Sequence, residues 1–361
     1  MKKLKKLVVF LLSIKLIRKT YEALSLFITR LGSFSRLSSV VYHWVGFFSF
    51  SREQYAVLHG RKNYYKNLNK QRKSRSELRR NTHRLEKGLL MRPRRKVFAK
   101  DYIGETVEFY EKALRDYKND DSGVDISELI WAQNVLTEYF SKVSDEDKAI
   151  SKLHDQFKKI DFAPKDIDKK PYKRGNPKSP IKYEDLLELS HQRRSVRWFK
   201  QKPVPRELID KALLVAEQSP SACNRLPYEF KIYDDPKLVK KVAAIPFGAA
   251  GYRDNIPTII VVVGKQENYF SPRDRHLIYV DSALSVMPFM YALETLGLAS
   301  SSINWPDFEP LEAKMQKTLG LSPDERPIML IALGYADPEG YVAYSQKKSL
   351  DVLRTYNKIG K

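Results

Sequence analysis

Apolar residues in the C-terminal half of the chain alternate between short continuous runs and a helical spacing. Runs at residues 257–263 and 327–332 have no polar face, which predicts buried strands, and residues 229–233 predict a shorter strand. The predicted helices cover residues 183–190, 208–217, 236–244 and 276–296. Because strands that alternate with helices are covered by helices on both faces, we predict a three-layer domain.

The region before this domain has a different pattern. Apolar residues between positions 101 and 153 are spaced for two or three amphipathic helices. Residues 158–180 then collect lysines and four prolines with few apolar residues, which is typical of a linker. We therefore predict a helical basic region at 61–157, a linker at 158–180 and the sheet domain at 181–361.

The first 60 residues are predicted as a basic and apolar helical segment. The run at residues 7–14 follows a basic start, but no small-residue cleavage site follows it, and it is too short to span a bilayer. A second run, residues 37–50, carries no formal charge. It fits an in-plane helix on a membrane surface, or a helical hairpin packed on its own protein or on a second subunit.

Charge is unevenly distributed. The chain of 361 residues has a net charge of +22, and residues 1–100 hold 26 Lys and Arg against four acidic residues, whereas residues 101–361 hold 39 of each. This asymmetry predicts attachment to an anionic surface, either membrane lipid or nucleic acid. Since no nucleic-acid module accompanies the charge, nucleic acid is disfavoured. We expect a cytoplasmic protein, with attachment to the inner face of the cell membrane as one interpretation.

Few residues suggest metal or nucleophile chemistry. Cys223 is the only cysteine, so an intramolecular disulfide is excluded, and no Cys/His pattern predicts a metal site. With no histidine paired to it in the sequence, Cys223 is interpreted as a small buried thiol. His83 and Glu86 share a helix face at i, i+3 and could form a base beside a carboxylate. The favoured interpretation is structural, with Glu86 paired to neighbouring arginines.

Two short runs carry the candidate chemistry. Residues 193–199, Arg-Arg-Ser-Val-Arg-Trp-Phe, place three guanidinium groups and a hydroxyl within five positions, a set that binds phosphate oxygens well. Residues 219–228, Ser-Pro-Ser-Ala-Cys-Asn-Arg-Leu-Pro-Tyr, place the amide of Asn224 between two prolines, where it can donate to and accept from a heterocycle. Together the runs predict a site for a phosphorylated ring compound.

These runs resemble the FMN-binding core of the nitroreductase family. The pattern Arg-Arg-Ser-x-Arg-x-Phe is followed about 25 residues later by Pro-Ser-Ala-x-Asn-x-x-Pro-Tyr, and the resemblance covers residues 183–353. It implies an α+β fold, a three-layer α/β/α domain with a mixed central sheet, preceded here by a mainly helical N-terminal region. It also implies a homodimer with FMN at the interface and NAD(P)H as the reductant.

The resemblance assigns roles to particular residues. Arg193, Ser195 and, less directly, Arg194 would contact the FMN phosphate, and Arg197 would approach the N1/O2 edge of the ring. A cation near N1 would stabilise the negative charge that reduction places there. Asn224, with Ser221 near it, would contact the flavin or its ribityl chain.

Two further contacts follow from the same resemblance. Family members use a turn after Gly-Leu to bring a backbone N–H or a hydroxyl to flavin N5, and here the matching residues are Ser302, Ile303 and Asn304. Lys347 stands where the family usually has a phosphate-binding arginine, so it keeps the charge and loses the bidentate fork. Leu226 is a second departure, because glutamine is frequent at that position.

The predicted function is an FMN-dependent oxidoreductase. It would use NAD(P)H in ping-pong order, with hydride transfer through flavin N5 to a small-molecule acceptor. A nitroarene, a quinone, an enone and a cell-envelope precursor all remain open as acceptors. The alternative prediction is a catalytically inactive assembly or membrane-surface factor that keeps the fold, since a fold alone does not establish turnover.

Overall fold

The computed structural model describes residues 10–11, 13–46, 50–68, 70, 74–119, 124–143, 147–163 and 166–359. It divides into two compact units, Met1–Tyr55 and Ala56–Lys361. Most of the predicted apolar run at 7–14 lies outside the described residues, as do positions 47–49 of the second run.

Two helices form the described part of the first unit, α1 (Lys15–Gly32) and α2 (Arg36–Gly46). They are joined by a short turn in which the Ser38 hydroxyl donates to the Gly32 carbonyl at 3.1 Å. Gly32 also permits close packing, because a Cβ atom there would lie 2.9 Å from the Tyr42 ring. Helix α3 (Ser51–Asn67) begins in this unit and ends in the next.

A helical bundle opens the second unit. Its members are α4 (Ser76–Leu90), α5 (Ile103–Lys118), α6 (Ile126–Val143) and α7 (Lys148–Lys158). The helices predicted between 101 and 153 are thus confirmed, and they share one core around Val107, Leu136 and Phe140.

A four-stranded sheet follows, in the order β1-β2-β4-β3. The strands are β1 (Tyr228–Tyr233), β2 (Thr258–Lys265), β3 (Ala299–Asn304) and β4 (Glu325–Gly334). All three pairs of neighbouring strands are antiparallel. The parallel component of the predicted mixed sheet is limited, in the described residues, to an isolated bridge between Ser195 and Ser300.

Helices cover both faces of this sheet. They are α8 (Tyr183–Gln192), α9 (Arg206–Ala216), α10 (Pro236–Ala243), α11 (Leu277–Thr295), α12 (Glu309–Leu319) and the short α13 (Leu350–Leu353). Val261 on β2 shares a core with α10 and α12, whereas the next residue, Val262, shares a core with α9 and α11. Because successive strand side chains point to opposite faces, this alternation confirms the three layers and the α+β class.

The segment predicted as a linker does not separate two units. Residues 159–163 and 166–182 contain no helix or strand, as expected of a linker. Both the helical bundle before this segment and the sheet after it nevertheless belong to the unit that begins at Ala56. The boundary between compact units therefore lies at residue 55 and not at 158–180, because the bundle packs against the sheet domain.

One helical stretch in the described residues, Pro272–Thr295, is long and apolar enough to cross a membrane, with a mean hydropathy of 1.2. Half of it is buried inside the fold. Its residues Val286, Phe289 and Leu293 belong to the core beneath the sheet. This is the environment of a core helix.

Candidate functional site

The run of arginines lies in an extended segment directly after α8. The Arg193 N–H donates to the Leu189 carbonyl at 2.9 Å, which ends the helix. The Val196 N–H then donates to the Ser300 carbonyl on β3 at 3.1 Å, and the Lys200 N–H donates to the Tyr335 carbonyl at 2.9 Å. The segment is therefore fixed between β3 and the chain that leaves β4.

The same contacts return the C-terminal segment to the arginines. Phe199 pairs with Ala336 in an antiparallel bridge, and the Asp337 N–H donates to the Trp198 carbonyl at 3.0 Å. Gly334 allows this approach, since a Cβ atom there would lie 2.6 Å from the Pro257 ring and 3.0 Å from the Phe199 ring. Lys347 comes back beside Arg193 as a result.

A cleft of about 80 Å³, which we call the arginine cleft, forms where these segments meet. Its lining residues are Arg193, Arg194, Ser195, Arg197, Ala343, Ser345 and Lys347. The predicted phosphate ligands are thus brought together from positions that lie more than 140 residues apart in the sequence.

The arginine cleft is strongly cationic. Its lining contains four basic side chains and no acidic one. The Nε atom of Arg193 is buried and has no hydrogen-bond partner among the described residues. Arg197 is exposed, with its guanidinium 5.9 Å from the centre of the Tyr252 ring. A buried donor without an acceptor in a cationic cleft fits an anionic group such as a phosphate.

The second predicted run forms a turn with unusual backbone angles. It contains a single 3₁₀ turn, Ala222–Asn224, and we call residues 221–226 the Asn224 turn. Three of its residues that are not glycine have positive φ, namely Cys223 at 55°, Asn224 at 52° and Leu226 at 48°. Such conformations are disfavoured for residues with a Cβ atom, so surrounding contacts must hold them.

Three contacts hold the Asn224 turn. The Ala222 N–H donates to the Asp281 carboxylate on α11 at 2.9 Å. The Leu226 N–H donates to the Ser221 hydroxyl oxygen at 3.0 Å. From the opposite direction, Nε of Arg79 on α4 donates to the Asn224 carbonyl at 2.7 Å. The helical bundle thus directly supports a turn of the sheet domain.

Asp281 lies in a buried polar cluster behind this turn. Its carboxylate also accepts from the Tyr269 hydroxyl at 3.4 Å, and the Arg225 guanidinium lies 4.8 Å from the Tyr269 ring. Burial raises the pKa of Asp281, while the Ala222 N–H, the Tyr269 hydroxyl and Arg225 act in the opposite direction. The charged form of Asp281 therefore depends on these partners.

Arg79 is itself held by buried groups of the bundle. One of its terminal nitrogens lies 3.3 Å from the Glu128 carboxylate, and its guanidinium lies 5.4 Å from the Trp131 ring. Glu128 is 4% exposed and also accepts from the Ser74 hydroxyl and the Arg75 N–H. Burial raises the pKa of Glu128, an effect that Arg79 opposes.

The predicted pairing of Glu86 with arginines is wrong. The Glu86 carboxylate accepts instead from the Trp131 indole N–H at 3.0 Å and lies 3.1 Å from His83 Nδ1. Trp131 contacts Arg79 in turn, so Glu86 and His83 join the group that supports the Asn224 turn. The structural interpretation of these two residues agrees with this geometry.

Two side chains in the turn have different surroundings. The Ser221 hydroxyl oxygen is already used within the turn, whereas the Asn224 amide makes no hydrogen bond within the described part of the chain. Cys223, predicted as a buried thiol, is only half-buried.

The prediction of a turn at Ser302, Ile303 and Asn304 is wrong. These residues form the end of strand β3, and Ile303 is buried in the core beneath α10 and α12. Ser302 and Asn304 are exposed. Because the Ser300 carbonyl accepts from Val196, alternation along the strand directs the backbone of Ser302 to that same side, away from β4. Ser302 therefore remains a candidate and Ile303 does not.

Sequence reasoning missed Asp281 and Arg79. Asp281 had a signal, since it is the single acidic residue among positions 276–293 of an otherwise apolar helix. A buried carboxylate in such a helix needs a partner, which points to a site. Arg79 had no comparable signal, because it is one of many basic residues between positions 52 and 100.

Comparison with known proteins agrees with this site. The model of the nitroreductase family matches residues 191–250 and 248–335. A provisionally named NADH dehydrogenase/NAD(P)H nitroreductase of Methanothermobacter thermautotrophicus is 28% identical over 155 residues, which cover 42% of this chain and 77% of that protein. Iodotyrosine deiodinase 1 of Homo sapiens is 24% identical over 197 residues, covering 46% of this chain and 67% of that protein.

Coverage is partial in these comparisons. The match to iodotyrosine deiodinase 1 of Pongo abelii, for example, covers 66% of that protein and 46% of this chain. A solved FMN-dependent nitroreductase from Clostridium difficile superposes with a TM-score of 0.42 at 20% identity, over 48% of this chain and 99% of that one.

The family predicted from the two runs is confirmed, and with it the class of enzyme, an oxidoreductase. Of the predicted cofactors, NAD(P)H is named for the Methanothermobacter thermautotrophicus relative, and FMN is named for the Clostridium difficile structure. Residues 191–335 of the chain match the model of the nitroreductase family.

Proposed function

We propose that the protein binds FMN through the arginine cleft and uses NAD(P)H to reduce a small-molecule acceptor. The observation that carries this proposal is the meeting of Arg193, Ser195 and Lys347 in one cationic cleft, with Arg193 Nε buried and unpaired. A phosphate there would accept from Arg193, from the Ser195 hydroxyl and from the Lys347 ammonium.

When bound, FMN would supply the redox chemistry, which is hydride transfer through flavin N5 from NAD(P)H to the acceptor in ping-pong order. The chain's own residues bind, orient and tune it. Arg197 would place a positive charge near the ring edge where reduction adds negative charge. The free amide of Asn224 can both donate and accept, and the Ser302 backbone N–H faces away from β4.

We further propose that the working unit is a homodimer. Every described residue from 341 to 359 is exposed, and this segment includes Lys347. Several large apolar side chains in it, such as Tyr341 at 95% and Ile359 at 91%, have no cover in the single chain. A tail with this much exposed apolar surface favours packing against a second copy.

The test begins with purified full-length protein incubated with FMN and then desalted. Retained flavin absorbance that bleaches when NADH or NADPH is added without oxygen supports the enzyme. Retained flavin that neither nucleotide reduces supports the alternative, an inactive assembly or membrane-surface factor. Protein that retains no flavin contradicts both. Lys347→Gln should weaken retention, and Lys348→Gln is the matched control because Lys348 does not line the cleft.

The acceptor can be found with the reduced protein. A panel should contain a nitroarene, a quinone and an enone. 3-Iodotyrosine belongs in the same panel because iodotyrosine deiodinases are among the relatives. The compound that reoxidises the flavin fastest identifies the acceptor class, while equal slow rates for all would argue against these classes.

A further inference from the structure

Helix α1 has one apolar face, and that face is exposed. With 3.6 residues per turn, most of its large apolar residues fall within a sector of about 140°, and Leu26 lies outside it. The members of this face are Leu16, Tyr21, Leu24, Phe27, Ile28 and Leu31. Their side chains are 43% to 75% exposed, so the unit that contains α1 does not cover them.

The remaining surface of α1 is basic. Lys15, Arg18, Lys19 and Arg30 lie outside the apolar sector, on the opposite side of the helix or at its edges. The single acidic residue of the helix, Glu22, lies 3.7 Å from Arg18. The net charge of α1 is therefore positive, and its basic side chains lie beside the apolar face.

Helix α2 also has one exposed apolar face. Leu37, Val40, Val41, Trp44 and Val45 fall on one side of the helix and are 50% to 75% exposed. Trp44, at 67% exposure, is a residue type that favours the membrane–water interface. Because Gly32 and Ser38 fix the turn between the helices, the two faces belong to one hairpin.

We propose that this hairpin lies in the headgroup region of an anionic bilayer, with its apolar faces inserted and its cations on lipid phosphates. An apolar face bordered by lysine and arginine is complementary to such a surface in both hydrophobicity and charge. Helix α11 is more apolar than α1 and α2, but half of it is buried and it packs in the core, so the exposed apolar faces and the cations of α1 distinguish the hairpin. The inference goes beyond the proposed reaction and does not depend on it.

Point variants of the full-length chain test the proposal. Leu24 and Leu26 are 56% and 52% exposed on the same helix, but Leu24 lies in the apolar sector and Leu26 on the opposite side. Leu24→Glu should therefore weaken binding to vesicles of phosphatidylcholine with phosphatidylglycerol by about tenfold or more. Leu26→Glu, the matched control, should change it far less. Circular dichroism confirms that both variants keep their helices.

Charge is tested on the same vesicles. Removing phosphatidylglycerol should weaken binding. Replacing Lys15 and Lys19 by glutamine should also weaken binding, by about fivefold for each lysine removed. Equal binding by Leu24→Glu and Leu26→Glu would overturn the proposal, as would binding that is indifferent to the anionic lipid. A wild-type chain that binds no vesicles, and whose oligomeric state changes in Leu24→Glu, would show instead that a second copy covers this face.

Discussion

The arginine cleft and the Asn224 turn, which we propose as two parts of one site, are built in different ways. The charged side chains of the cleft are half-exposed or exposed, and Ser345 is its one lining residue with positive φ, at 52°. The turn consists of backbone in a disfavoured conformation, held by the buried Asp281 and the half-buried Arg79. We therefore expect substitutions in the cleft to change mainly the affinity for FMN. Substitutions behind the turn should change mainly the free energy of unfolding.

The largest effect is expected at Arg79. Arg79→Ala removes the hydrogen bond to the Asn224 carbonyl and leaves Glu128 buried without its cation. Breaking a buried ion pair on one side costs about 3 kcal/mol or more, so the free energy of unfolding should fall by that amount in a urea titration. FMN affinity should fall as well, because the turn loses one of its three supports.

Arg80→Ala is the comparison for this variant. Arg80 lies on the same helix, but its described contact is a cation–π interaction with Phe270 at 5.0 Å. Its loss should cost only about 1 kcal/mol. If Arg79→Ala is no more destabilising than Arg80→Ala, the support of the turn by the helical bundle is disproved.

The next effect is expected in the cleft. Arg193→Ala removes a charged donor whose Nε has no hydrogen-bond partner among the described residues, so stability should change little. FMN affinity should fall about 10-fold to 100-fold, as is usual for a hydrogen bond to a charged group. Arg193→Lys should restore part of the affinity, since it keeps the charge without the fork. Flavin fluorescence titrations measure the FMN affinity of the wild-type, Arg193→Ala and Arg193→Lys proteins.

The smallest effect is a pH dependence at Asp281. Because burial raises its pKa in the folded state, the unfolded chain loses this proton first as the pH rises above about 4. The contribution of Asp281 to stability should therefore fall from that pH upward and become constant above the raised pKa. Burial raises the pKa of Tyr269, whose hydroxyl faces Asp281, so this hydroxyl stays protonated over this range.

The measurement is the difference in unfolding free energy between wild type and Asp281→Asn at several pH values. Asparagine retains an acceptor for the Ala222 N–H and cannot titrate. Using the difference cancels the titration of Glu128, which is present in both proteins. A difference that does not vary with pH would mean that Asp281 does not titrate in this range.

Sequence predicted the parts of the site that are local. Arg193, Ser195 and Arg197 lie within five positions, and the type of each residue already indicates an anion. The buried strands at 257–263 and 327–332 were equally predictable from the sequence, because continuous apolar runs are characteristic of a sheet covered on both faces. Only Lys347 needed the family resemblance to connect it to these residues.

The parts that escaped prediction depend on tertiary contacts. Strand β3 has the sequence Ala-Ser-Ser-Ser-Ile-Asn, which has weak strand propensity and becomes a strand because it pairs with β4. The left-handed turn at Cys223 and Asn224 requires contacts from α4 and α11, which lie far away in the chain. The composition of residues 158–180, rich in proline and lysine, likewise did not predict that the helical bundle packs on that turn.

The most direct test of the site compares FMN with riboflavin, which lacks the phosphate. We predict that the wild-type chain binds FMN about 10-fold or more tightly than riboflavin, as expected for a phosphate with charged partners, and that Arg193→Ala removes most of this difference. Equal affinity of the wild-type chain for the two flavins would contradict the assignment of the arginine cleft to the phosphate.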